Sequence, residues 1–350
     1  MENMEVKMKK ILVTGDRGYI GSVLVPLLLK NKYEVTGIDT DFYKTAGKGS
    51  SPKYKRITKD VREIDERDLK GFDAVIHLAA LSNDPMGEID KRLTDTINHV
   101  ASIKIAKLCK KIGISRFIFS SSCSIYGIAK TGEVDEKSKV NPLTAYAKSK
   151  IDTEQEIKKL ASSSFCVGIM RNSTVYGFSP CFRNDLVVNN LVTTALAYKQ
   201  IRIMSDGTPW RPLIDVRDLA IVFMMFLEKD AKKINGKVIN IGFAENNFQV
   251  KDLGDSVKHN VPGCEVVYTG EHGKDARSYK VRFNLFKSLF PEVKQEWTLD
   301  KSVSDMVQNL KKSNFSKRHF ESEKYVRLAV LRNLLENKKV DKNLFWRNKK

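Results

Sequence analysis

The stretch Lys10-Ile-Leu-Val-Thr-Gly-Asp-Arg-Gly-Tyr-Ile-Gly21 joins an apolar run to a helical pattern through three glycines. Its first five residues predict a buried strand, and the residues from Ile20 onward predict a helix. Gly15 permits the tight turn between them, Gly18 lets the backbone approach a pyrophosphate, and Gly21 lets helix and strand pack closely. Dinucleotide phosphates are expected at the N-terminus of this helix, where the contacts would come from Gly15, Gly18, Tyr19, Ile20 and Gly21.

Short apolar runs and helical patterns alternate through the first half of the chain. Further strands are predicted at Glu34–Asp39, Asp73–Leu78, Arg116–Ser120 and Phe165–Met170. Because helical patterns separate them, the strands are expected to be joined by right-handed crossovers. The sequence therefore predicts an α/β fold with a doubly wound parallel sheet of the Rossmann type. After Tyr176 the pattern is irregular, which predicts a smaller, discontinuous substrate-binding lobe.

These patterns divide the chain into three parts. A dinucleotide-binding domain is expected at residues 8–175, rejoined by 213–242. The substrate-binding lobe is expected at 176–212 and 243–299. Residues 300–350 are then left as a basic C-terminal extension.

The extension carries much of the positive charge. From Lys301 to the last residue there are fourteen lysines and arginines and five acidic residues, a net of +9 out of +19 for the chain. A basic charge total alone does not predict nucleic-acid binding, and we expect none. One apolar helical face is formed by Tyr325, Leu328, Leu331 and Leu335. This short stripe favours docking against the body or a partner subunit over stable membrane insertion, with the residues from Lys339 onward looser.

The composition is that of a soluble globular protein, with 41% hydrophobic and 29% charged residues in a chain of 350. No run approaches the roughly 20 apolar residues of a membrane span. The N-terminus lacks the apolar core of a signal peptide. Five scattered cysteines, without a C-x-x-C pair or a nearby histidine cluster, argue against a disulfide framework and a metal site and favour the cytoplasm.

Asp39 bears on the choice of cofactor, since it ends the second predicted strand 24 residues after Gly15. A carboxylate there accepts hydrogen bonds from the adenosine ribose hydroxyls and repels the 2′-phosphate of NADP, which favours NAD. Arg17 could attract that phosphate, so the sequence leaves the alternative open. Further cofactor contacts are expected at the ends of the next two strands, at Asp60, Val61, Leu78, Ala79 and Ala80. The last expected cofactor contacts are Asn98, Tyr146 and Lys150.

Tyr146-Ala-Lys-Ser-Lys150 is the strongest catalytic signal. Positions four apart share a helical face, so the phenol and the ammonium can meet the same bound molecule. The ordinary tyrosine pKa of about 10 is too high for a base at neutral pH, and a neighbouring lysine cation would lower it. Upstream, the serine-rich segment Phe119–Gly127 follows a predicted strand and supplies hydroxyl groups at the carboxyl edge of the sheet, where ligands of such sheets bind.

The Thr14–Gly21 turn, the Ser-Ser-Ser-x-x-Ile-Tyr-Gly strand end and Tyr146-x-x-x-Lys150, in this order, resemble an extended short-chain dehydrogenase/reductase. The nearest group is the NAD-dependent epimerase/dehydratase family, and the resemblance runs from about Lys10 to about Leu299. It implies a catalytic triad made of Ser122, Tyr146 and Lys150. It also implies that Asn98 helps to hold the water network of the lysine.

The second half of the chain continues the resemblance. Four segments match family segments that contact a nucleotide-diphosphate sugar, namely Arg171–Gly177, Asn189–Leu191, Asp206–Arg211 and Asp275–Tyr279. Arginine suits this role because its planar fork makes bidentate contacts to phosphate oxygens. The implied substrate contacts are Ser122, Asn172, Asn190, Arg211 and Arg277.

One departure from the family pattern limits the reactions that the sequence favours. Dehydratases of the family carry an Asp-Glu pair just after the catalytic hydroxyl residue, and this chain has Cys123-Ser124 there. Elimination of water is therefore disfavoured, and the resemblance implies an NAD-dependent 4-epimerase, expected as a homodimer, that works through a 4-keto intermediate. A 4-ketoreductase, a dehydratase with an unusual acid and a non-catalytic dinucleotide-binding regulator are the alternatives.

Overall fold

The computed structural model describes residues 9–43, 53–82, 90–270 and 277–347, without the side chains of residues 129–131. Its strands are β1 Lys10–Thr14, β2 Glu34–Asp39, β3 Lys55–Thr58, β4 Ala74–His77, β5 Arg116–Ser122, β6 Ile128–Val134, β7 Cys166–Asn172, β8 Thr174–Tyr176, β9 Gln200–Ile203, β10 Trp210–Asp215, β11 Lys237–Ile241, β12 Asn247–Gln249, β13 Glu265–Tyr268 and β14 Ser278–Val281.

The helices follow the same order along the chain. They are α1 Gly21–Lys30, α2 Glu66–Leu69, α3 Lys91–Asp95, α4 Ala101–Lys111, α5 Ala145–Lys158, α6 Val187–Tyr198, α7 Val216–Glu228, α8 Ala231–Ile234, α9 Val250–Asn260, α10 Asn284–Leu289, α11 Leu299–Lys312, α12 Lys317–Phe320 and α13 Arg327–Glu336. A π-helical turn at Thr96–Val100 joins α3 to α4. Within the described residues, no helix is long and apolar enough to cross a membrane.

Seven parallel strands form the main sheet, in the order β11-β7-β5-β4-β1-β2-β3. Strand β1 pairs with β2 on one side and with β4 on the other, so that Ile11 lies between Val35 and Ala74. The strand order reverses at β1, and a crevice therefore opens at the carboxyl ends of β1 and β4. This sheet confirms the predicted α/β fold.

Helices cover both faces of the sheet. Ile11 and Val13 of β1 pack in one core with α1 and α7, while Leu12 points to the opposite core, which contains α4. Side chains of β1 point alternately into the two cores, so neither face of the strand contacts solvent. Ile11, Leu12 and Val13 are all apolar for this reason.

The segment 213–242, expected to rejoin the sheet domain, divides between two places. β11 extends the main sheet beside β7, and α7 packs on α1. β10 instead lies in a separate three-stranded sheet between β8 and β12.

A third core belongs to the smaller lobe and includes a helix of the expected extension. The lobe packs α6 and α9 against α11, whose buried apolar residues are Leu299, Val303, Met306, Val307 and Leu310. Their spacing of three and four residues gives α11 one apolar face, and the lobe covers that face. The boundary expected at residue 300 therefore falls inside a helix that completes the lobe.

The rest of the extension is docked on the body of the protein. Leu331 of α13 is fully buried in the core that contains α4, and Leu328 and Leu335 pack at its margin. The looser structure expected from Lys339 onward is not observed through Arg347, the last described residue. Val340 and Leu344 are only 1% and 2% exposed, because they close the same core.

Candidate active site

The glycine turn lies directly against the loop that follows β4. Gly15 has a φ of +75°, and a Cβ there would lie 2.9 Å from the backbone nitrogen of Ala79. A Cβ on Gly21 would lie 2.3 Å from the carbonyl oxygen of Gly15. Gly18 donates its N–H to that same oxygen at 3.0 Å. Only glycine fits at positions 15 and 21, because the backbone of the protein occupies the space that a Cβ would need.

The N-terminus of α1 has the properties of an anion-binding site. No side chain caps the helix at Ile20, and the N–H groups of Ser22 and Val23 donate to the backbone oxygens of Gly18 and Ile20. A phosphate would therefore bind at the turn before these two residues, at the positive end of the helix dipole. Tyr19 contributes through its backbone alone, because its buried hydroxyl donates to the carbonyl oxygen of Gly177 at 2.6 Å and accepts from Asn189 at 3.2 Å. The Tyr19 side chain thus ties the turn to the smaller lobe.

Asp39 lies at the end of β2, where its carboxylate accepts hydrogen bonds from the backbone N–H groups of Arg17 and Asp41. Burial raises the pKa of this carboxyl group above its usual range. The Arg17 guanidinium donates to the carbonyl oxygens of Asp39 and Ile57 and to the hydroxyl of Thr58. Because protein oxygens engage this cation, the geometry favours a ribose with a free 2′-hydroxyl over one with a 2′-phosphate.

Asp60, expected at the adenine edge, already holds a cation. Its carboxylate accepts from the backbone N–H of Arg62 and from the guanidinium of the same residue at 2.9 and 2.7 Å. An arginine two positions after a capping aspartate reaches back to its carboxylate easily, as Arg62 does here. Val61 begins the short 3₁₀ turn that Asp60 caps.

Asn98 fixes the loop after β4, which contains Leu78–Ala80. Its amide accepts from the N–H of Leu81 at 2.8 Å and donates to the carbonyl oxygen of the same residue at 3.1 Å. It also donates to the hydroxyl of Ser149 on α5 at 3.2 Å. The side chain therefore links this loop to α5, on the residue next to Lys150.

Lys150 and Tyr146 lie one turn apart on α5. The ammonium nitrogen of Lys150 is 5.6 Å from the centre of the Tyr146 ring and donates to the carbonyl oxygen of Ser120 at 2.8 Å. Lys150 is 3% exposed, and burial lowers its pKa to about 8, while the charge of Glu154 acts in the opposite direction. Tyr146 is half-buried.

Ser122 and Asn172 are neighbours at the carboxyl ends of β5 and β7. The Ser122 hydroxyl accepts from the N–H of Ser124 at 3.1 Å. The Asn172 amide donates to the hydroxyl of Ser120 at 3.0 Å, and its buried oxygen has no hydrogen-bond partner in the part of the chain that the structure describes. An orphaned buried acceptor fits a ligand that donates a hydrogen bond there.

Cys123 occupies the position where dehydratases of the resembled family carry an acid. Its thiol is 1% exposed and donates to the carbonyl oxygen of Arg171 at 3.2 Å. Burial raises the pKa of the thiol well above its usual range. Cys123 is therefore a packing residue rather than a proton donor.

Arg211 and Arg277, the two arginines expected to bind the diphosphate, are in contact. The Arg211 guanidinium donates to the carbonyl oxygens of Trp210 and Arg277. Asn190 lies in the first turn of α6, where its amide donates to the carbonyl oxygen of Asn184 at 3.1 Å.

Arg183 was not identified from the sequence. It is 6% exposed, forms a two-pronged ion pair with Asp185 and donates to the hydroxyl of Ser82 in the loop after β4. It also lies within electrostatic reach of the Tyr146 phenol. The sequence pattern that could have pointed to this ion pair is an arginine followed two positions later by an aspartate, in the loop before α6.

Asp16 was also missed, although it lies inside the glycine turn. Its carboxylate is fully buried and accepts from the hydroxyl of Tyr54 at 2.6 Å. The other carboxylate oxygen has no hydrogen-bond partner among the described residues. Gly37 leaves room for it, since a Cβ there would lie 2.1 Å from the Asp16 carboxylate. Burial raises the pKa of Asp16 to about 6.

Comparisons with known proteins agree with this geometry. The model of the NAD-dependent epimerase/dehydratase family matches residues 11–242. A putative UDP-glucose 4-epimerase of Methanocaldococcus jannaschii is 29% identical over 315 residues, which are 87% of this chain and 99% of the relative. A UDP-glucuronic acid 4-epimerase from Bacillus cereus, solved with UDP-glucuronic acid and NAD, is 26% identical with a TM-score of 0.76, over 87% of this chain and 99% of that one.

A third protein shares the fold. The structure of an NAD-dependent NDP-hexosamine 5,6-dehydratase involved in tunicamycin biosynthesis superposes with a TM-score of 0.77 at 23% identity. The superposition covers 87% of this chain and 98% of the dehydratase chain. Epimerases and a dehydratase thus share this architecture, and the reaction has to be argued from the site itself.

Proposed function

Because the chain belongs to the NAD-dependent epimerase/dehydratase family, we propose that it is a nucleotide-sugar epimerase that inverts C4 of the sugar. The observation that carries the proposal is the pairing of Tyr146 and Lys150 on α5 beside the strand end of Ser122, followed by the buried thiol of Cys123 instead of a carboxylate. The site therefore has a base for O4 and lacks the acidic pair of the dehydratases. Two of the similar proteins carry the name of a 4-epimerase, the one from Methanocaldococcus jannaschii as putative, and these names support the same reaction.

The residues of the cleft fit NAD. The closed backbone of Gly15 and Gly21, the uncapped N-terminus of α1 and the carboxylate of Asp39 would hold its pyrophosphate and its adenosine ribose. NAD, when bound, supplies a hydride acceptor that later returns the hydride. The protein therefore has to position the sugar and move one proton at O4.

Tyr146 performs the proton transfer in this proposal. As a phenolate it takes the proton of the 4-hydroxyl while hydride leaves C4, which gives a 4-keto sugar. Lys150, 5.6 Å from the ring, carries a positive charge that favours the phenolate. The Ser122 hydroxyl donates to O4 and stabilises the developing carbonyl. When hydride returns to the opposite face of C4, Tyr146 gives the proton back to O4.

Inversion requires that the sugar turn while its carrier stays bound. Arg211 and Arg277 are assigned to the diphosphate in this proposal, and the Arg211 guanidinium contacts the carbonyl group of Arg277. Asn190 is the third proposed anchor. A keto sugar linked through a diphosphate can then rotate and present its other face.

The test is a product analysis with UDP-glucose, UDP-N-acetylglucosamine and UDP-glucuronic acid, followed by proton NMR. We expect one of them to give its C4 epimer without net consumption of cofactor. A 4-keto-6-deoxy product would replace the proposal by a dehydratase. One NADH consumed for each turnover of a 4-keto sugar would replace it by a ketoreductase.

The proposal includes a homodimer that works in the cytoplasm. Light scattering of the purified protein tests the first part, with an expected mass of twice 39.8 kDa.

A further inference from the structure

The end of the C-terminal extension lies against the loop that follows Asp39. The indole N–H of Trp346 donates to the carbonyl oxygen of Thr40 at 2.6 Å. The Trp346 ring packs on Phe42, with 5.5 Å between the ring centres. Thr40 directly follows the carboxylate proposed for the adenosine ribose, so Trp346 fixes the backbone beside that carboxylate.

Phe345 contacts the other expected adenosine segment. The guanidinium carbon of Arg62 lies 3.8 Å above the centre of the Phe345 ring. The same guanidinium is held by the carboxylate of Asp60. A cation stacked on an aromatic face loses freedom of movement. Phe345 therefore restrains Arg62 and, through it, Asp60.

A closed turn presents both aromatic residues. The Asp341 carboxylate accepts hydrogen bonds from the N–H groups of Asn343 and Phe345, at 2.8 and 2.9 Å. Val340 forms a β-bridge with Trp346. Leu344 is buried in the core. The position of the two rings is thus set by the fold of the turn rather than by the rings alone.

We propose that Phe345 and Trp346 are positioning residues for the adenosine half of NAD. They connect the loop after β2 with the segment after β3, two separate pieces of chain that would flank the adenosine. Holding both pieces in place before binding lowers the ordering cost that the cofactor otherwise has to overcome. This inference rests on the proposed NAD site, because Asp39 and Asp60 are assigned to the adenosine there.

The experiment is calorimetric titration of NAD and of ADP-ribose into protein freed of copurified nucleotide. ADP-ribose is the probe that retains the adenosine half and lacks nicotinamide. We expect the double variant Phe345→Ala/Trp346→Ala to bind both ligands about tenfold more weakly, from the loss of a cation–π contact and a hydrogen bond. Turnover at saturating NAD should stay within about twofold of wild type, since neither residue touches the reacting groups.

Single variants separate positioning from folding. Trp346→Phe keeps an aromatic ring and removes the hydrogen bond to Thr40, and we expect about threefold weaker binding. Phe345→Leu keeps the apolar cover and removes the aromatic face under Arg62, with a similar effect. Lys342→Ala, an exposed residue of the same turn, is the matched control and should bind as wild type. Thermal melting shows that each variant is folded at the temperature of the titration.

Two results are decisive. Wild-type affinity for NAD and ADP-ribose in the folded single variants would overturn the inference. Asp39→Ala is titrated in parallel to test the cofactor site itself. If Asp39→Ala also bound both ligands as wild type, the proposed adenosine site would be wrong, which is a different failure from that of the two aromatic residues.

Discussion

The catalytic helix α5 and the terminal turn after α13 both bring side chains to the carboxyl edge of the main sheet. Tyr146 and Lys150 are four positions apart on one helix, so their spacing alone predicts that they share a face. Trp346 reaches Thr40, which lies 306 positions earlier in the chain. No local period encodes a contact of that kind. The comparison shows that the chain outside the family match can be as much a part of the proposed site as the chain inside it.

The largest effect should come from removing the chain after Asp300. The α11 helix supplies Val303, Met306 and Leu310 to the core of the smaller lobe. Burial of each such side chain contributes about 2–5 kcal/mol when measured by truncation to alanine, so deletion of residues 301–350 should prevent folding.

The matched truncation removes residues 339–350 and keeps α11 and α13. It should stay folded, with a lower melting temperature because Val340 and Leu344 leave the core. Circular dichroism and thermal melting of both truncated proteins provide the measurement. A folded protein after deletion of 301–350, melting near wild type, would show that the extension is an appendage after all.

Tyr146→Phe tests α5, the region whose paired side chains the residue spacing predicted. We expect turnover to fall by about 10²–10⁴ because the phenol oxygen is the proposed proton acceptor. NAD binding should be retained, since the ring still fills its place. Tyr33→Phe is the control, as it removes a hydroxyl that donates to Glu228 elsewhere in the protein. Turnover of Tyr146→Phe within tenfold of wild type would remove this residue from the role of base.

Local patterns predicted the main sheet well for a physical reason. Strands buried on both faces are apolar at consecutive positions, as in β1 and β7, and such runs are visible in the sequence. The edge strand before Asp60 was expected but not given a residue range, because the four residues of β3 are mostly exposed and two of them are charged. The pairing of β6 with β14 was missed, since it joins segments far apart in the chain.

Asp39→Ala tests the proposed ribose contact beside the terminal turn. Asp39 precedes Thr40, whose carbonyl group accepts the hydrogen bond from Trp346. We expect the affinity for NAD to fall about tenfold relative to that for NADP, because the ribose loses a carboxylate acceptor and the 2′-phosphate loses a repelling charge. Titration of both dinucleotides measures the ratio. Asp255→Ala, which removes an exposed carboxylate on α9, is the control. An unchanged ratio would show that Asp39 does not face the ribose.

The individual residues of the site were predicted less completely than the sheet. The motif placed Ser122, Tyr146 and Lys150 on the correct elements, because strand ends and helical spacing determine them. The engagement of Asp60 by Arg62 and the buried pair of Arg183 with Asp185 depend on side-chain conformations. Residue spacing does not determine which of several nearby partners a long cationic side chain reaches.

The last prediction concerns Asp16, a carboxylate that sequence spacing did not single out. Its pKa is raised to about 6 by burial in the folded protein, whereas an unfolded aspartate has a pKa of about 3.9. The folded state therefore binds a proton that the unfolded state releases between these values. The resulting loss of stability is absent below about pH 4, grows as the pH rises and is complete above the folded pKa of about 6.

Asp16→Asn removes this pH-dependent loss. The amide oxygen can still accept the hydrogen bond from Tyr54, and the side chain has nearly the same shape as the carboxylate that Gly37 accommodates. We expect the variant to be more stable than wild type by about 2 kcal/mol at pH 7.5, a shift of a few degrees in melting temperature, and by much less at pH 4.5. Asp255→Asn removes a charge at the surface and should show no such pH dependence. An equal difference between Asp16→Asn and wild type at both pH values would mean that Asp16 titrates in the same way in the folded and unfolded states, and that its burial under the glycine turn carries no ionisation cost.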